Sequence, residues 1–127
     1  AGGAVIDLDG RFLMKVSFEG IGQWCATFFG GVTEGHVVKV DGGGCVAECA
    51  AGEPFCGAAV FAGGDACTVQ MGGFVTVGYS GAAPALGYTA LAADGLGGVQ
   101  SAGEAAGGVS RWVVDRDEGR KTVTILL

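Results

Sequence analysis

Glycine is what most constrains this chain. It supplies 27 of 127 residues, against an average usage of roughly 7%. It punctuates the sequence every few residues without a G-X-Y period, which excludes a collagen helix. Each interior glycine costs a helix about 1 kcal/mol relative to alanine, so a chain interrupted this often does not sustain long helices. It suits short strands joined by tight turns, where a residue lacking Cβ enters conformations that others resist. No segment holds ten or more residues of clean 3.6 periodicity, so the helical crossovers of parallel βαβ units have no source. The expected class is all-β, with little or no helix.

Period-2 patterns between the glycines place the strands. "RFLMKVSF" sets Phe12, Met14, Val16 and Phe18 on one face and Leu13, Lys15 and Ser17 on the other. "QWCATFF", "HVVKV", "CVAEC", "FCGAAVFA", "DACTVQM" and "GFVTVGY" follow, separated by turn signals such as "DGGG" and "AAGEP". In "GFVTVGY", Phe74, Thr76 and Gly78 alternate with Val75, Val77 and Tyr79. "SRWVVD" and "RKTVTILL" flank "RDEG" as the clearest hairpin. The alanine- and glycine-rich stretch from Ser80 to Gly108 reads as a long loop plus a short hairpin turning at Asp94-Gly95.

The chain carries 7 basic and 13 acidic residues, a net charge of −6. Phosphate binding needs clustered Lys and Arg, so no nucleic-acid partner is expected. Charged residues make up only 16% and hydrophobic ones 50%, which leaves surface for burial against a protein partner. No run approaches the roughly 20 apolar residues of a membrane helix, and no basic segment followed by an apolar run marks a signal peptide. Cys25, Cys45, Cys49, Cys56 and Cys67 are odd in number and include no CxxC pair. They read as small core residues with free thiols, made in a reducing cytosol, and no metal site or cofactor is expected.

One stretch invites a catalytic reading. "AVIDLDGRFLM" places Asp7 and Asp9 after an apolar run, the way phosphate-transferring enzymes of the haloacid-dehalogenase type begin. That chemistry needs a parallel sheet flanked by helices, and Arg11 stands where that family has Thr or Val. The favoured reading is a hairpin, "AVIDL" pairing back on "RFLMKV" across a two-residue Asp9-Gly10 turn. Other constellations carry less. His36 is the single histidine and is read as a residue on a strand's polar face. "DGGGC" lacks the Lys-Ser/Thr of a phosphate loop. Asp115 to Glu118 form a solvated hairpin tip with Arg116 and Arg120, not a calcium loop. Trp24, Trp112, Phe28 and Phe74 fall at strand positions and read as core or interface anchors. No catalytic, metal or cofactor-binding residue is assigned, and the chain is not expected to be an enzyme.

From Met14 onward the chain resembles a known group. "MKVSFEGIG", "GEPFCGAAVF…ACTVQMGGFVTVGYSG" and "PALGYTALAADGLGGV…RWVVDRDEGRKTVTILL" are similar to small head-decoration (capsid cement) proteins of tailed phages and prophages of Firmicutes. The resemblance implies a small, partly open barrel or β-clip of short antiparallel hairpins. It implies a structural virion protein that binds the major capsid protein at capsomer junctions as a homo-oligomer, commonly a trimer. It would be made in the bacterial cytoplasm and placed on the capsid exterior. On this reading residues 14–127 are a single decoration-type domain, residues 1–13 are an N-terminal extension or arm, and the loop at 80–87 packs against another chain. A tail-tube, fibre or shell subunit is the alternative role.

Overall fold

The computed structural model describes residues 23–103 and 107–127, together with the two strands at 3–6 and 12–15. These residues form strands, turns and loops with no helix, so the chain is all-β. β1 (Gly3–Ile6) and β2 (Phe12–Lys15) pair with each other into a two-stranded sheet that neither of the other sheets extends. Register and loop length are linked in a hairpin. A two-residue turn at Asp9-Gly10 would set Ile6 opposite Leu13, whereas Ile6 stands opposite Phe12. The connection therefore spans residues 7–11, which lie outside the described residues along with Asp7 and Asp9. The division at Met14 falls inside β2, where Met14 pairs with Ala4.

Five strands close a barrel: β3 (Trp24–Phe29), β4 (Val37–Gly42), β5 (Cys45–Glu48), β6 (Gly57–Gly63) and β7 (Ala66–Gly72), in the order β3-β5-β4-β6-β7. All ladders are antiparallel except the short β3–β5 contact, where Phe29 faces Cys45. The "DGGG" signal makes the β4–β5 turn, with Gly44 at φ 72, a backbone region that favours glycine. Val38, Val46, Ala59, Cys67 and Val69 fill the interior.

The second sheet comprises β8 (Phe74–Gly78), β9 (Gly87–Ala93), β10 (Val99–Ser101), β11 (Val109–Asp117) and β12 (Thr122–Leu126), in the order β10-β9-β11-β12-β8. Its edge strands meet at one end. Tyr79 bridges Val99 in parallel, and Ser80 N donates to Val99 O at 2.9 Å. The β11 ladder runs on to Asp117 opposite Thr122, so the hairpin turns at Glu118–Lys121, further along than "RDEG" suggests.

One core joins the two sheets. Successive residues of a strand point to opposite faces. Val38 therefore enters the barrel while Val37 turns outward with Ala58, Phe55 and Cys49 to meet Leu91, Val77, Val113 and Ile125 of the second sheet. Fully burying one such side chain stabilises by roughly 1.5–3 kcal/mol. Backbone bonds fix the seam: Val37 N to Gly97 O (2.9 Å), Gly52 N to Ala93 O (2.8 Å) and Ala93 N to Glu53 O (2.9 Å).

Candidate assembly surfaces

Among the described residues, His36 and the acidic hairpin tip, both weighed as chemical from the sequence, have side-chain partners within the chain. His36 lies at the seam, its Nδ1 against Glu48 Oε1 and its ring over Gly97, where a Cβ would collide with it. Asp115 Oδ1 accepts from Arg116 N (2.9 Å) and Asp117 Oδ1 from Arg120 N (3.1 Å). Arg116 and Glu118 approach to 3.8 Å, so the acidic tip is matched by its own arginines. The Glu53 carboxylate accepts from β4 and from the β5–β6 connection. Lys39 Nζ reaches its two oxygens at 2.9 and 2.8 Å, and Ala50 N donates to Oε1 at 2.6 Å. The hydrogen bonds from Lys39 and then Ala50 hold this carboxyl below the usual range. Lys39, Glu53, Phe55 and Cys56 line an open depression of about 310 Å³.

The cysteines divide by position. Cys49 and Cys67 are buried, Cys45 and Cys56 half-buried, and Cys25 is exposed. Cys25 corrects the expectation of core thiols: it stands on β3 opposite Gln70, outside the barrel filling. Burial pushes the Cys49 thiol up to about 11, with the neighbouring Glu53 charge adding to it.

What stands out on the surface is aromatic. Register places Phe74 opposite Leu126, Leu126 opposite Trp112 and Trp112 opposite Tyr88, one rung across four strands. Cross-strand partners share a face, and here it is the face away from the shared core, into which Val75, Val113 and Ile125 point. Trp112 is 52% exposed and Tyr88 66%, their ring centroids 5.2 Å apart. Leu86, two residues before Tyr88, is 57% exposed. The adjoining pair is Ala90 with Ser110 on one side. On the other, Thr76 and Thr124 share a 2.8 Å hydrogen bond, and Asp115 stands opposite Thr124 at the margin.

A second patch lies on the barrel. Phe29 (66% exposed) stands opposite Ala66, which stands opposite Gly63. The ring of Phe61 (59% exposed) leans over Gly63, where a Cβ would come within 3.1 Å of it. Phe29 and Phe61 thus flank Ala66 on the outer wall, while Phe28 packs against the barrel core. Trp24 lies over Gly72, which has no side chain to displace it.

The loop at 80–87 divides. Pro84 is buried, Ala83 packs against the shared core, and Pro84 O accepts from Arg116 Nη1 at 2.9 Å. Ala82, Ala85 and Leu86 face outward. Of the four anchors named from sequence, Trp112 and Phe74 join the aromatic row, Trp24 lies on the barrel wall, and Phe28 belongs to a core. Tyr88 and Phe61 could not be assigned to surface or core from sequence because apolar residues occupy both faces of "GYTALAA" and "GAAVFAG", and alternation alone does not say which face is outward.

Comparison with protein-family models and with curated proteins finds no match to this chain.

Proposed function

We propose that this protein is a structural subunit of a phage particle, decorating the capsid exterior as a homo-oligomer bound to the major capsid protein. The observation that carries the reading is the pair of separate aromatic patches, Trp112–Tyr88 on the second sheet and Phe29–Phe61 on the barrel wall. A decoration protein makes two kinds of contact, one to its own copies and one to the shell. Exposed apolar patches of this kind mark protein–protein contact sites. On a shell lattice, modest contacts multiply through avidity. The resemblance from Met14 onward supplies the capsid as the surface bound.

Co-sedimentation with expanded shells of the accompanying major capsid protein tests this. The wild type pellets with the shells. The Phe29→Asp/Phe61→Asp variant stays in the supernatant while keeping its oligomeric mass. No binding by the wild type overturns the reading, and open-ended filaments in light scattering replace it with a self-polymerising tail-tube, fibre or shell subunit.

A further inference from the structure

We propose that Arg111 is the seat of a carboxylate supplied from outside the chain. On β11, Val113 belongs to the shared core and Val109 packs against it. Residues two apart on a strand share a face, so Arg111, between them, carries its guanidinium onto that inner face, opposite Thr89 of β9. It is half-buried there. Its Nη1 donates to Ser110 O, the carbonyl of its own neighbour, at 2.9 Å. Its Nε is buried with no hydrogen-bond partner, and Nη2 has no partner either. Among the described residues Lys39, Arg116 and Arg120 each meet a carboxylate, and none of these residues' carboxylates reaches Arg111. Lys121, likewise without one, stands exposed at the β11–β12 turn. A buried donor left unpaired forfeits the hydrogen bonds that water would give it, and a partly buried charge calls for a counter-charge. Nε and Nη2 form the two-pronged edge on which a guanidinium grips a carboxylate. An oxygen arriving at Nη2 draws the guanidinium outward and brings the second oxygen beside Nε. The charge of the ligand follows from the surroundings. Val109, Val113 and Thr89 flank Arg111 without charge, and the Thr89 hydroxyl already donates to Ala85 O at 2.8 Å. One guanidinium with no second cation beside it matches the single charge of a carboxylate better than the nearly double charge of a phosphate monoester. The source is a free small carboxylate or an acidic side chain of another copy, and the chemistry is the same. Trp112 points to the opposite face, so this seat is separate from the aromatic row.

Proton–nitrogen correlation spectra of the full-length protein near pH 7 test it, read at the Arg111 Nε–Hε signal. Arg111→Lys identifies that signal by its loss, and sequential assignment replaces the variant if circular dichroism shows it unfolded. Acetate is the probe, with chloride at equal ionic strength as the control and inorganic phosphate as the competing anion. Acetate is expected to move the signal saturably, several-fold further than chloride or phosphate, while the Arg116 and Arg120 signals stay in place. That result identifies a free carboxylate as sufficient. A displacement that grows with protein concentration before any acetate is added, and that acetate competes away, identifies the source as an acidic side chain of another copy. A signal unmoved by acetate and by protein concentration, an equal response to chloride, or a stronger response to phosphate overturns the inference. No shells are present in this measurement, so its failure leaves the sedimentation result untouched.

Discussion

At the scale of single residues, the cysteines show how position overrides identity. Five identical thiols differ in environment from the exposed Cys25 to the buried Cys49 and Cys67. The thiolate is the reactive form, and burial raises the Cys49 thiol to about 11. Alkylation of the native protein near pH 8, followed by mass mapping, is expected to modify Cys25 first and leave Cys49 and Cys67 intact until denaturant is added. Fast modification of Cys49 in the native state would contradict its burial. The sign of the pH effect follows: a thiol whose native value lies above the unfolded one holds its proton more tightly when folded. Its contribution is present below the ordinary thiol range near 8.5 and is lost as pH rises toward about 11. None of this is legible in the sequence, where each of the five has at least one small or apolar neighbour and none is marked as buried or exposed.

At the scale of elements, the strands were legible and the turns only partly so. Alternation in "GFVTVGY" set Val75, Val77 and Tyr79 on one face without saying which face is inner, and the structure turns that face to the shared core. Asp94 was read as a turn residue, and the structure gives it more to do. Its Oδ1 accepts from Leu96 N at 2.7 Å and Gly98 N at 3.0 Å, and its Oδ2 from Ser80 Oγ at 2.6 Å. The loop Asp94–Gly98 is thereby held in shape where Gly97 O accepts from Val37 N across the seam. Asp94→Ala is expected to lower stability by about 1–3 kcal/mol, the cost of stranded donors, and to speed amide exchange in Leu96 and Gly98. An unchanged denaturation midpoint would show that water replaces the carboxylate. The turn was missed as a dock because Ser80 and Val37 are distant in sequence, and periodicity reports only neighbours.

At the scale of the whole molecule, the closed barrel and the second sheet are bound by one core. Val37 of the barrel wall and Phe55 of the β5–β6 connection pack with Leu91 and Ile125. Leu91 is fully buried, so Leu91→Ala is expected to cost about 2–5 kcal/mol. Because the core is shared, urea unfolding is expected to remain a single transition by both tryptophan fluorescence and far-ultraviolet dichroism. Two separated transitions would mean that the sheets fold as independent units.

Glycine spacing, strand alternation and low charge are local properties, and from them the sequence alone determined an all-β chain of short strands. Each strand's neighbours, by contrast, are set by contacts between residues far apart in the chain. Only the tertiary structure decided that β7 returns to β3 to close a barrel and that Tyr79 meets Val99 across the second sheet. Tertiary packing likewise chose which apolar face of each strand is buried. Val37 and Val38 are adjacent and equally hydrophobic, yet they serve two different cores. Trp112 and Val113 are adjacent and apolar too, and packing buries Val113 while leaving Trp112 on the surface beside Tyr88.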